Sequence, residues 1–73
     1  MIEISKQTTI FELTNQYSDI KEILYELGFT DIIKPGMMQT AGRVMTLEKG
    51  AKLKRIPIET IAEKFSSYGY SVI

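Results

Sequence analysis

The sequence contains no cysteine, no histidine and no tryptophan. Without thiols there is neither a disulfide nor a thiolate metal site. Without imidazole, the commonest metal ligand and the usual general base near neutral pH are both missing. Hard cations can still be held by carboxylates, but only where acids cluster in a loop. Here the nine acidic residues are spread along the chain. No apolar run approaches the roughly 20 residues that span a bilayer. The start, Met1-Ile2-Glu3-Ile4-Ser5-Lys6, lacks the basic opening and long apolar run of a secretory signal. The expectation is a cytoplasmic protein with no metal, no cofactor and no membrane partner.

Length sets a second limit. The 73 residues make one domain, 1–73. Such a domain buries only about 60% of the surface that its unfolded chain exposes, and one core of that size supplies about 3–5 kcal/mol. There is no room for a deep site with its own supporting shell, and no nucleophile–base pair can be assembled. An enzyme is not expected. The net charge is zero, yet the charges are segregated. Residues 1–31 carry six acids against Lys6 and Lys21, whereas residues 34–55 carry six bases against Glu48 alone. That asymmetry favours charge-guided docking to a protein partner or to a second copy.

The organising stretch is Leu27 to Arg43. Gly28 follows an amphipathic run and can close a helix at positive φ without a Cβ penalty. Pro35 fixes its own φ and pushes Lys34 out of the helical region. Phe29, Ile32, Ile33, Met37 and Met38 are too apolar for an ordinary surface connection, so the segment is expected to be the buried crossing of the domain.

The flanks read as short helices. Thr9-Ile10-Phe11-Glu12 fits a capping box, with Ile10, Leu13 and Tyr17 on one stripe and an end near Gln16 or Tyr17. Ser18 or Asp19 is expected to cap a second helix carrying Ile20, Ile23, Leu24 and Leu27. Pro35 opens a third, short helix through Met37, Met38 and Thr40 that ends near Gly42. Val44 and Met45 are expected to be buried. Thr46 caps a fourth helix, in which Gly50 suits close packing, against the second helix, at a propensity cost of about 1 kcal/mol. Pro57 is expected at the first position of a fifth, with Ile58, Ile61, Ala62 and Phe65 facing inward and Gly69 closing it. Met1 to Ser5 and Tyr68 to Ile73 both alternate apolar and polar residues, so the two ends can pair as a short two-stranded ribbon. The predicted fold is mainly α: a compact orthogonal array of four to five short helices, because very short connections force sharp crossings.

Several blocks carry a family resemblance: Ser18-Asp19-Ile20, Leu24-Tyr25-Glu26-Leu27-Gly28-Phe29, Lys34-Pro35-Gly36-Met37, Thr40-Ala41-Gly42-Arg43, Met45 to Ala51 and Gly69-Tyr70. Together they resemble a small all-helical bacterial and archaeal domain of unknown function, of the DUF1858 type. Such domains occur alone or N-terminal to hemerythrin-like and sensor domains. A related module opens di-iron proteins associated with repair of iron–sulfur clusters. The resemblance implies the helical fold and a partner-binding or regulatory module, and it brings no catalytic residue. Many members of the wider family carry a cysteine pair after the second helix's closing glycine. Gly28-Phe29-Thr30-Asp31 has none, so no redox or metal role is carried over.

The candidate binding residues are Lys34, Gly36, Met38, Thr40, Gly42, Arg43 and Lys52. In one reading the exposed part of Lys34 to Arg43 docks a protein partner or a second copy, and the basic face Lys49, Lys52, Lys54 and Arg55 steers its approach. In the alternative reading, Gly36, Thr40 and Arg43 hold a small anionic ligand through backbone donors and a guanidinium fork. The plainer readings are a packed Met38, a helix end with a solvated Arg43 and a solvated lysine face. Nucleic acid is disfavoured, since the chain lacks the overall basic charge of that footprint. The acid pairs Glu22/Glu26 and Glu59/Glu63 share helix faces, but acid–base work would need a cleft and raised pKa values. Tyr68 and Tyr70 can mark an interface or cover the core.

Overall fold

Each helix begins where the local sequence supplies a start signal. A computed structural model describes all 73 residues. In chain order it contains β1 (Ile2–Ile4), α1 (Ile10–Gln16), α2 (Ile20–Glu26), α3 (Pro35–Gln39), a 3-10 turn (Ala41–Arg43), α4 (Leu47–Lys54), α5 (Ile58–Ser66) and β2 (Tyr70–Val72). The Thr9 hydroxyl accepts the Glu12 N–H at 3.2 Å, and the Thr46 hydroxyl accepts the Lys49 N–H at 3.1 Å. These bonds satisfy backbone donors that have no partner inside α1 and α4. Pro35 occupies the first turn of α3, where its missing N–H is not needed. Gly28 takes φ 97° immediately after α2, a conformation that glycine adopts without strain.

No helix exceeds the nine residues of α5, a length of roughly 13 Å. Such short rods cannot form a long bundle, and they pack instead around one cluster of 14 buried residues. All five helices contribute to it, and Ile10, Ile20, Ile23, Leu24, Leu47, Ile61 and Phe65 have no exposed surface. The connection after α2 does cross the interior: Phe29 and Ile32 are buried, and Met38 follows them inward from α3. Met37 points outward, which settles the division of labour between the two methionines.

The two ends meet. β1 and β2 pair in parallel, with Ile2 opposite Tyr70, Glu3 opposite Ser71 and Ile4 opposite Val72. Parallel strands need a long crossover, and here all five helices form it. A lone two-stranded sheet is marginal in water. This one is held because Ile4 and Tyr70 are buried in the core. The Tyr70 ring also meets Tyr17 and Phe65 edge-on, at centroid distances of 5.4 Å and 6.0 Å.

Four local expectations are corrected. Asp19 sits at the N-cap of α2 with helical dihedrals and makes no capping bond. Its carboxylate instead accepts the Tyr70 hydroxyl across the domain. Val44 is exposed rather than buried, because the 3-10 turn ends there and rotates it outward. Pro57 is the N-cap of α5, one residue before the helix. Gly50 is close-packed as expected, but against the Phe29 ring rather than against α2 itself.

Candidate functional site

The seven candidate residues divide into three groups. Met38 and Gly42 face inward. The Met38 sulfur accepts the Thr14 hydroxyl at 3.5 Å, and a Cβ on Gly42 would come within 2.9 Å of that sulfur. These two residues are packing elements and are withdrawn from any contact surface. Lys34, Gly36, Thr40 and Arg43 are exposed along α3 and the following turn. Their polar groups are already engaged locally. Lys34 lies 3.6 Å from Asp31, and the Thr40 hydroxyl donates to the Gly36 carbonyl at 3.1 Å. The Arg43 guanidinium lies 4.4 Å above the Phe11 ring and donates to Gln39 at 3.4 Å.

Lys52 belongs to a different place. Glu48, Ala51 and Lys52 recur at i, i+3 and i+4 along α4, so they share one face of the helix, and Arg55 follows at its C-terminal cap. That face forms one wall of an open groove of about 600 Å³. Ile56, Pro57 and Ile58, the link from α4 into α5, supply the opposite side together with Lys6 from the N-terminal arm. The volume falls within the range of ligand-sized clefts. Three cations rim the groove, and Ala51, Ile56, Pro57 and Ile58 make its floor apolar.

Backbone bonds fix the rim. The Lys6 N–H donates to the Ile73 carbonyl at 2.9 Å, and the Glu48 N–H donates to the Lys6 carbonyl at 3.2 Å. The β1 arm is thereby tied both to the C-terminal strand and to the start of α4. Lys6 reaches Glu48 at 3.9 Å with both side chains partly exposed, a contact worth little in water. Lys52 and Arg55 have no acidic partner within the 4.0 Å of a salt bridge. The other two cations of α4 are turned away: Lys49 donates to the Val44 carbonyl and Lys54 to the Gly28 carbonyl.

Arg55 holds an unusual backbone. It ends α4 with φ 57° and ψ 39°, the only non-glycine residue at positive φ. The Ile56 N–H donates to the Ala51 carbonyl at 2.9 Å and the Arg55 N–H to the Lys52 carbonyl at 3.3 Å. These are the two bonds of a Schellman motif, whose left-handed position is usually glycine. An L-residue there costs about 1–2 kcal/mol.

Of the acid pairs, Glu26 is engaged in a cluster with α5. Glu26 accepts Lys64 and the Tyr68 hydroxyl, each at 2.7 Å. Lys64 first, and then Tyr68, holds its carboxyl below the usual range. A general acid needs the opposite direction. Through the same contacts the Lys64 ammonium and the Tyr68 phenol are both held above their ordinary values. The cluster joins α2 to the end of α5. Tyr70 is buried, and desolvation, followed by its bond to Asp19, pushes its phenol up to about 12. No group of three or more carboxylates is placed to hold a metal ion, and no helix is long and apolar enough to cross a membrane.

Sequence reasoning had placed Lys52 and Arg55 on a general basic face. It missed their union with Lys6 and Glu48. The i, i+3, i+4 spacing on α4 was the available signal. The approach of Lys6 depends on how the N-terminal arm docks against the start of α4, through the bond from the Glu48 N–H to the Lys6 carbonyl, which no local pattern encodes.

No curated protein matches the chain. Among solved structures, the crystal structure of the conserved domain protein from Streptococcus pneumoniae TIGR4 is similar, with a TM-score of 0.92 and 33% sequence identity. The match covers 100% of this chain and 92% of that one. Residues 4–62 match the family described as a domain of unknown function (DUF1858). With four-fifths of its length in that match and the fold in common, the chain belongs to the DUF1858 family.

Proposed function

We propose that this domain is a non-catalytic, cytoplasmic interaction or regulatory module, and that the groove between α4 and α5 is its binding face. One observation carries the reading: Lys6, Lys52 and Arg55 stand around an apolar floor, and two of these three cations have no partner in the chain. Unpaired cations steer an anionic partner, and the apolar floor supplies the desolvated contact that holds it. The exposed Lys34 to Arg43 surface is second to it, because its charges and hydroxyls are satisfied locally.

The test is affinity capture from cells of the source organism with wild-type protein, with Lys52→Glu/Arg55→Glu and with Lys34→Glu/Arg43→Glu, each checked for retained helicity. The groove variant is expected to lose the specific partner, and the α3 variant to keep it. A partner set indifferent to the groove variant overturns the assignment.

A small organic anion is the second reading, favoured by a cleft of about 600 Å³, a size that encloses a single ligand. Thermal-shift screening against phosphates, nucleotides and carboxylates tests it. A ligand present at 100 times its Kd adds about 2.7 kcal/mol, and a flat screen removes this reading.

A further inference from the structure

We infer that the occupant of the groove is a protein segment that sets a carboxylate beside a branched apolar side chain, with Arg55 as its anchor. This rests on the reading of the groove as the binding face.

The floor fixes half of the occupant's chemistry. Ala51, Ile56, Pro57 and Ile58 are aliphatic, and no aromatic ring lines the cleft. Single-stranded nucleic acid is gripped by aromatic stacking platforms along a basic track. Here there is no platform: apart from its charged rim the lining is aliphatic. A leucine-like side chain meets the floor with no unsatisfied polar group on either side.

The rim fixes the other half. A guanidinium presents a planar fork that matches a carboxylate in two parallel hydrogen bonds, which an ammonium cannot reproduce. The fork at Arg55 is unpaired, and its backbone is held left-handed by the two bonds that close α4. Glycine would close the helix with less strain. An arginine in a backbone conformation that favours glycine is strained, and such strain points to a use for its side chain. The positive φ also turns the chain from α4 into Ile56-Pro57, so fork and floor are set by the same two bonds. Lys52 stands one helical turn before Arg55 and adds a second positive charge that needs no defined geometry.

The same geometry supplies an unusually clean variant. Arg55→Gly removes the fork while relieving the backbone, so a loss of binding cannot be put down to misfolding. The experiment arrays acetylated, amidated heptapeptides, with a fixed central leucine and degenerate flanks, against the full chain. The best sequence is then measured by fluorescence anisotropy on wild type, Arg55→Gly and Lys52→Ala. Its amide counterpart (Asp and Glu replaced by Asn and Gln), an oligoglutamate of equal charge and oligo-dT serve as competitors.

The expected result is enrichment of Asp or Glu close to the leucine. Affinity should fall at least about tenfold in Arg55→Gly and for the amide peptide, and the Tm of Arg55→Gly should equal or exceed that of wild type. Absence of acid enrichment overturns the inference, as does equal binding by Arg55→Gly. Oligoglutamate or oligo-dT matching the peptide also overturns it, by making the groove a general polyanion surface. Dimerisation through the same residues in sedimentation identifies a second copy as the occupant and overturns it too. If partner capture depends on Lys52 and Arg55 while the array shows no acidic preference, the occupant's chemistry fails and the binding face stands. If capture is indifferent to both residues, the binding face itself fails.

Discussion

The Phe29 ring lies directly against the backbone of Gly50: a Cβ at residue 50 would stand 2.8 Å from the ring's Cε1. Phe29 is buried in the segment that follows α2, and Gly50 is the point at which α4 passes over it. This contact explains a glycine inside a helix, where alanine is favoured by about 1 kcal/mol. Gly50→Ala therefore sets a propensity gain against an overpacked aromatic ring, which costs about 1–3 kcal/mol. The buried ring has little room to retreat, so the clash wins. The expected result is a Tm lowered by about 4–8 °C for each kcal/mol lost. A Tm raised by the substitution, in thermal unfolding followed by circular dichroism, would show that the ring yields.

Thr46 performs two structural tasks. Its hydroxyl caps α4, and its backbone forms an isolated antiparallel bridge with Thr9, the cap of α1. Thr46→Ala removes the cap and keeps the bridge, with an expected loss of about 1 kcal/mol. Thr46→Ser keeps the accepting oxygen and should recover most of that loss. Urea denaturation of both variants decides the matter: equal midpoints would mean that the hydroxyl is idle.

Tyr70 makes stability depend on alkaline pH. Its phenol titrates near 12 when folded, against about 10 when unfolded. Between those values the unfolded chain gives up the proton first, so the folded state binds more protons and stability falls as pH rises. The contribution is fully present below about 10 and is lost across the interval to about 12, a change on the order of 1–3 kcal/mol. Tyr70→Phe lacks this dependence. The stability advantage of wild type over Tyr70→Phe should therefore shrink from pH 10 upward. Parallel stability–pH curves for the two proteins would contradict the assignment.

Most of the fold was legible in the sequence because its signals are local. Thr9, Gly28, Pro35 and Thr46 are start and stop signals whose effects reach only a few residues, and each marks its helix end as the pattern predicted, although Glu12 does not return the bond of the capping box at Thr9. The alternation at the two ends was enough to pair them. What escaped depends on contacts between distant residues. Asp19 resembles a cap in sequence but is drawn off by Tyr70, 51 positions away. Val44 belongs to an apolar pair, yet the 3-10 turn before it turns it to solvent. The α4 groove was hidden from the sequence for the same reason. Lys34 to Arg43 is glycine-marked and rich in apolar residues, but its polar side chains find partners close by, whereas the unpaired Lys52 and Arg55 stand on α4 and at its end, beside the docked N-terminal arm. Lys52 and Arg55 are common to both descriptions.

Amide chemical-shift mapping tests the binding face most directly. The uniformly labelled chain is titrated with its captured partner or with the enriched acidic heptapeptide. The account predicts that the largest shifts gather on Lys6, Lys52, Arg55, Ile56 and Ile58, with Lys34 to Arg43 left in place. Shifts concentrated on α3 and its following turn, or spread evenly over the domain, would contradict it.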